Sequence, residues 1–166
     1  MPIFSIGHGT RPIDEFLALL KKYDIAWLAD VRTQPYSKFN PQYNRPSLAG
    51  SLRVEDIRYI YLGDSLGGRP LDPSCHDGKG RVDYHLLRQQ DFFKKGIERL
   101  CEANRKELQV AIMCSERIPE KCHRSKLIGQ ALRDLNISIQ HIDEQGGLKG
   151  QEVVIPNPLP YSTLWG

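Results

Sequence analysis

No stretch of this chain approaches the roughly 18 apolar residues that a membrane span requires. Its opening, Met1-Pro2-Ile3-Phe4-Ser5-Ile6, lacks both the basic flank and the small-residue cleavage site of an export signal. A soluble, cytoplasmic protein with no membrane partner is therefore expected, and its four cysteines are expected as reduced thiols. Charge of one sign is also scarce. A formal net charge of +3 with scattered Lys and Arg suits an anionic ligand but falls short of the dense basic surface of a nucleic-acid binder. The pairs Lys94-Lys95 and Arg105-Lys106 fall on helix surfaces or ends, where solvated charge is the simple reading. The chain has no internal repeat and no pair of Cys-x-x-Cys knuckles. At 166 residues it has the length of one ordinary domain, enough to bury about two thirds of its unfolded surface in one core.

What is present is an alternation, from end to end, of strand-length apolar runs with helical periodicity, the pattern of a parallel sheet covered on both faces. Strands are expected at residues 3–6, 25–31, 57–62, 108–113 and 137–142. Thr10 is placed to cap a first helix with Pro12 in its opening turn, and Phe16, Leu17, Leu19, Leu20 and Tyr23 supply a buried stripe. A Pro/Asn-rich loop over 33–45 leads to a short helix near 47–56. Longer helices are expected over 84–103 and 123–135. Residues 63–82, rich in Gly, Pro and Asp, read as a loop, and loops of that length are usually functional or mobile. Residues 143–166, with Pro156, Pro158 and Pro160, read as an irregular tail packing across the sheet. The expected fold over residues 1–166 is one three-layer α/β domain with a mostly parallel, Rossmann-like sheet of about five strands.

Ligands bind an open parallel sheet beyond the carboxyl ends of its strands. Gly7-His8-Gly9-Thr10 follows the first expected strand, Asp30-Val31-Arg32 ends the second, the stretch from Gly63 to Gly67-Gly68-Arg69 follows the third, and Cys114-Ser115-Glu116 follows the fourth. His8 is placed beside the first helix as acid, base or hydrogen-bond donor; a turn histidine bonded to a carbonyl is the plainer alternative. Asp30 and Arg32 alternate, so both point to one face, Arg32 toward an anionic group and Asp30 as base or orienting partner. A structural ion pair is their alternative. Gly67-Gly68 permits close backbone approach to a ligand.

The segment from Cys114 to Ser125 is the densest in chemistry. A strand ending in cysteine runs through a polar loop into a helix whose first turn carries Cys122-His123-Arg124-Ser125, where N–H groups and the helix dipole favour anions and thiolates. Cys114 reads as the first candidate nucleophile, Cys122 as a resolving or redox partner, and Glu116 or His123 as proton carrier. The strand-end cysteine resembles that of cysteine phosphatases and rhodaneses. The short glycine-containing anion loop of those enzymes is missing, which counts against phosphatase chemistry. Zinc held by Cys122-His123 with Cys114, or with Cys75-His76, is a rival use of the same atoms, and no other cofactor is indicated. Cys101, on the apolar side of a helix, reads as a small buried hydrophobe.

Four ordered motifs, Ser5-Ile6-Gly7-His8-Gly9-Thr10, Ala29-Asp30-Val31-Arg32 with Pro35 and Ser37, Tyr61-Leu62-Gly63 to Leu66-Gly67-Gly68-Arg69, and Cys114-Ser115-Glu116 to Cys122-His123-Arg124-Ser125, resemble the "domain of unknown function 488" family over residues 3 to about 142. The resemblance implies a compact cytoplasmic α/β protein and a site at these motifs, and names no reaction. The function expected is an enzyme acting on a small anionic or nucleotide-like substrate carrying a sulfate or phosphate group. Cys114, His8, Asp30 and Glu116 are its catalytic candidates, and Arg32, Arg124, His123, Ser125, Gly67 and Gly68 bind the anion. A module for single-stranded nucleic acid, using Arg32, Arg45, Arg69 and Arg124 with Tyr36, Phe39 and Tyr43 as stacking residues, is the alternative. A non-catalytic regulatory domain is a third.

Overall fold

The computed structural model describes residues 1–157. One six-stranded sheet runs in the order β3-β2-β4-β1-β5-β6, built from β1 (Ile3–Gly7), β2 (Trp27–Asp30), β3 (Arg58–Tyr61), β4 (Val110–Cys114), β5 (Ile139–Ile142) and β6 (Leu148–Gly150). The first five strands pair in parallel and β6 runs antiparallel to β5. Side chains alternate faces along a strand, and they sort accordingly. Phe4, Ile6, Leu28, Ala111 and Met113 pack on one face against Phe16, Leu17 and Leu20 of α1 (Ile13–Lys22) and Leu48 and Leu52 of α2 (Arg45–Val54). Ile3, Ala29, Val110, Ile112 and Cys114 pack on the other face against α3 (Gly63–Leu66), α4 (Tyr84–Arg88), α5 (Asp91–Arg105) and the helix after β4. This is the expected three-layer α/β arrangement. Truncating a core residue such as Leu20 or Ile112 to alanine costs about 2–5 kcal/mol.

Four helix-to-strand connections repeat one solution. Asp24, Asp56, Glu107 and Asn136 each take a left-handed φ of 55 to 60°. The next residue in each case, Ile25, Ile57, Leu108 or Ile137, returns its N–H to the carbonyl of Leu20, Leu52, Ala103 or Leu132 at 2.9–3.0 Å. This is the Schellman turn with its apolar contact, which satisfies the last helix carbonyls and drops the chain straight into the next strand.

Several sequence expectations are corrected. Thr10 does not cap α1: Pro12 stands at the cap, and the ladder opens with Phe16 N–H on the Pro12 carbonyl at 3.1 Å. Asp14 and Glu15 in the first turn and Lys21 and Lys22 in the last suit the helix dipole without a side-chain cap. The helix expected over 84–103 is two. Asp83 caps α4 by accepting from His85 and Leu86 N–H, and the chain restarts at Gln90, whose extended backbone (ψ 141°) opens α5. The helix expected over 123–135 begins as a π-helix at Arg124–Gly129 and becomes α6 (Gln130–Asp134). Residues 148–154, expected as irregular tail, form β6 and α7 (Gln151–Val154). Pro158 and Pro160 of that tail lie outside the described residues.

Candidate functional site

Strand β4 sits between β1 and β2. The chain leaves β1 and β2 toward α1 and α2 on one face and leaves β4 toward the opposite face, so the crevice where a doubly wound sheet binds ligands opens above Cys114. Parallel pairing continues into the loops there: His8 N–H reaches the Cys114 carbonyl at 3.0 Å, and Gly9 N–H reaches that of Ser115 at 2.9 Å. A cleft of about 800 Å³ lies at this edge, and His8, Arg32, Gly68, Cys114, Glu116, Cys122 and His123 are among its lining residues. A smaller apolar hollow of about 180 Å³ between β2, β3 and α5 has no cysteine or histidine in its lining.

Asp30 and Arg32 point the same way, as alternation requires. Arg32 Nε and Nη2 donate to the two Asp30 oxygens at 2.9 and 2.8 Å, and Nη2 also donates to the Tyr43 carbonyl at 2.8 Å. Asp30 accepts in addition from Arg32 N–H at 3.1 Å and from the Tyr59 hydroxyl at 2.6 Å. It is fully buried, with both oxygens engaged, which makes it the orienting partner of Arg32 rather than a base facing the cleft. Burial, followed by the hydrogen bond to Asp30, pushes the Tyr59 hydroxyl above its usual range.

His8 completes this group. Nδ1 lies 2.8 Å from the Gly9 carbonyl, which only accepts, so Nδ1 carries the proton and Nε2 accepts from Arg32 Nη1 at 3.4 Å. Burial, with the Arg32 charge adding to it, lowers the His8 pKa to about 4. The ring stacks on Tyr43 with centroids 4.4 Å apart. Tyr43 is therefore buried and does not offer a face for base stacking, correcting that expectation. Arg45, also expected at a nucleic-acid surface, lies over the rings of Tyr59 and Tyr61.

Across the cleft, Cys122 Sγ lies 3.5 Å from His123 Nδ1 and 3.5 Å from Arg124 N–H in the opening turn of the helix. His123 Nε2 lies 3.0 Å from the Val31 carbonyl, so Nε2 donates and Nδ1 shares a proton with the sulfur. Gly68 abuts the imidazole face, where a Cβ would fall 2.8 Å from His123 Cγ. Cys114 Sγ donates to the Glu116 carbonyl at 3.4 Å, the carbonyl that Arg124 Nη2 also reaches at 3.5 Å. Burial alone pushes the Cys122 thiol up; the hydrogen bonds from Cys114, His123 and Arg124 N–H outweigh it and hold Cys122 well below the ordinary thiol value. Cys114 is driven the other way, by burial first and then by its bond to Cys122 and the charge there. Both directions favour the thiolate on Cys122 over Cys114, the sulfur expected as nucleophile. The strand-end sulfur lacks the histidine and helix opening that its neighbour has.

Arg124 and Ser125, expected as anion ligands, are fully buried and do not line the cleft. Arg124 donates to Ser5 Oγ at 2.6 Å and to the carbonyls of Arg117 at 3.0 Å, Ile142 at 3.4 Å and Glu116 at 3.5 Å. Ser125 Oγ donates to the Pro119 carbonyl. Together they pin the loop between the two sulfurs. Ser5 in turn donates to His141 Nδ1 at 2.5 Å, and His141 Nε2 donates to Gln151 Oε1 at 2.6 Å. Gln151 Nε2 closes the chain on the Ser125 carbonyl at 2.9 Å. Burial lowers the His141 pKa to about 4, so it is neutral in this network.

Thr33, Ser115 and Lys121 line the cleft without having been expected there, and their only sequence signal is adjacency to Arg32, Cys114 and Cys122. Glu116 lines it with Oε1 accepting from Ile118 N–H at 3.1 Å, whereas Gly67 does not. Among the described residues no three His, Cys, Asp or Glu side chains are placed to hold a metal ion. Cys75 is buried against the α4–α5 side of the core, and no helix of the described residues is long and apolar enough to cross a membrane.

The fold and site define an open-sheet α/β protein with two free cysteines at its carboxyl-edge crevice. The chain belongs to the family described as Domain of unknown function DUF488, whose model matches residues 12–131. That span takes in Asp30, Arg32, Gly68, Cys114, Cys122 and His123 and leaves His8 just ahead of it. No curated protein and no solved structure matches the chain.

Proposed function

We propose that this protein is a cysteine-dependent enzyme acting on a small anionic substrate bound in the carboxyl-edge cleft. The observation that carries the reading is Cys122 Sγ held between His123 Nδ1 and Arg124 N–H in a cleft whose lining also includes Arg32. Arg32 has spent Nε and Nη2 on Asp30 and Tyr43, and one N–H of Nη1 remains to meet a phosphate, sulfate or carboxylate oxygen. Cys122 attacks as a thiolate, its nucleophilicity set by its neighbours rather than by ambient pH. His123 carries the proton between sulfur and leaving group. The same reading takes the chain as one domain working in the cytoplasm, where both thiols stay reduced.

The test is a panel of chromogenic aryl phosphates, aryl sulfates and anionic thioesters, assayed with the wild type and with C122S, R32A and C101S variants. Turnover of one class is expected to vanish in C122S, to show a raised KM in R32A, and to persist in C101S, with a covalent adduct on Cys122 seen by mass spectrometry. Turnover surviving C122S, or neither turnover nor adduct across the panel, rules the proposal out.

A second reading, binding of single-stranded nucleic acid, rests on Tyr36, which lines the cleft and is 66% exposed, and on Phe39, which is 85% exposed. It requires oligonucleotide affinity that falls steeply with added salt, and salt-independent or absent binding removes it.

A further inference from the structure

We propose that Cys122 and Cys114 act together as a peroxide-reducing dithiol, cycling between the reduced pair and a Cys114–Cys122 disulfide. The inference rests on the thiolate assignment at Cys122 made above, and it names a second substrate class, the hydroperoxides, for the same cleft.

The geometry supplies what such a cycle needs. Both cysteines line one cleft, and Arg124 ties them together: its N–H donates to Cys122 Sγ at 3.5 Å, and its Nη2 reaches at 3.5 Å the Glu116 carbonyl to which Cys114 Sγ donates at 3.4 Å. The segment joining them, residues 115–121, is a closed return. Arg124 holds its start through the Glu116 and Arg117 carbonyls, and Ser125 holds its far side through Pro119. A second thiol held this close gives an intramolecular reaction a large effective concentration over any thiol in solution. The other two cysteines do not compete. Cys101 lies on α5 and Cys75 in the turn Pro73–Cys75 ahead of α4, each in the packed core.

The steps balance. Cys122 sulfur attacks the terminal oxygen of a hydroperoxide: the S–O bond forms, the O–O bond breaks, and the departing alkoxide or hydroxide takes the proton shared by Cys122 Sγ and His123 Nδ1. Cys122 becomes a sulfenic acid, oxidised by two electrons, and the peroxide leaves as alcohol or water. Cys114 sulfur then attacks Cys122 sulfur: the S–S bond forms, the S–O bond breaks, and hydroxide leaves as water with the Cys114 proton. Two equivalents of a small-molecule thiol reduce the disulfide and complete the cycle. The charge arrangement orders these events. While Cys122 is a thiolate its charge keeps Cys114 protonated. Once Cys122 is a neutral sulfenic acid that repulsion is gone, and the Arg124 charge, which favours the Cys114 thiolate, has burial alone to overcome.

The experiment titrates the reduced full-length protein with hydrogen peroxide, with a thermal melt of each variant to establish folding. In the wild type we expect two thiols lost per peroxide consumed and a Cys114–Cys122 cross-linked peptide in non-reducing mass mapping. In C114S the oxidation should stop at a Cys122 sulfenic acid trapped by dimedone, and in C122S peroxide consumption should fall by about tenfold or more. C101S should behave as wild type. Wild-type oxidation running to Cys122 sulfinic acid without cross-link overturns the dithiol proposal while leaving Cys122 as the nucleophile of the anion-directed enzyme. If iodoacetamide at pH 6 does not label Cys122 in preference to the other cysteines, both proposals fall.

Discussion

Arg32 Nη1 meets His8 Nε2 at 3.4 Å, and Arg32 is clamped on its far side by Asp30. The imidazole lone pair is thereby committed to a guanidinium, and the ring serves to aim Arg32 rather than to take up a proton from a ligand. Protonating His8 would oppose two cations across that contact.

Acid should therefore destabilise the fold before carboxylates titrate in bulk. His8 and His141 are both lowered from 6.5 to about 4. Between these values the unfolded chain binds more protons than the folded one, so stability rises with pH there. The contribution is present in full above pH 6.5 and is lost as pH falls toward 4, on the order of 3 kcal/mol for each imidazole. Urea midpoints at pH 7, 5.5 and 4.5 measure it. A His141→Gln variant should flatten the slope, and an unchanged midpoint across this range contradicts the assignment of both rings as neutral.

Arg124→Met should cost about 3 kcal/mol or more, because it strands the carbonyls of Arg117 and Ile142 in a buried place. The check is equilibrium urea unfolding. A loss below about 1 kcal/mol would mean that these bonds do not hold the loop.

Gly68→Ala separates reactivity from stability. Its Cβ would press on the His123 ring and push Nδ1 off Cys122, slowing iodoacetamide labelling of Cys122 at pH 6 by about tenfold. Since the position is partly exposed, unfolding free energy should shift by less than about 1 kcal/mol. Labelling at the wild-type rate would show that His123 is not what activates the sulfur.

Glu107→Gly should stabilise the protein by about 0.5–1 kcal/mol, because its φ of 57° is one that glycine adopts without a Cβ penalty. The turn lies at the opposite edge of the sheet from the cleft, so Cys122 labelling should stay as in wild type. Thermal denaturation and labelling together check both halves of the statement.

Much of the architecture was legible because strands and helices carried different periods. Ile3, Ile6, Leu28 and Ile112 announce a covered sheet, and the residues after each strand announce the cleft. β6 was not legible, since Leu148-Lys149-Gly150 is too short to show a period. The break at Gln89-Gln90 uses neither glycine nor proline and gives no local signal. Arg124 was misread because arginine is seldom fully buried, and only the distant carbonyls of Arg117 and Ile142 explain why it is. Which of Cys114 and Cys122 is the better thiolate is not legible for a similar reason: it turns on His123, whose ring meets the carbonyl of Val31 just past β2, a contact no spacing reveals.

The π-helical opening at Arg124–Gly129 makes the site sensitive to arithmetic. A π turn seats one residue more than an α turn; were the same residues forced into α geometry, the surplus residue would turn Cys122 and His123 by about 100° relative to Leu127 and Ile128 in the core. Cys122 and His123 keep their place in the cleft because the wider turn absorbs that residue. In this stretch it is chain length, as much as side-chain identity, that writes the chemistry.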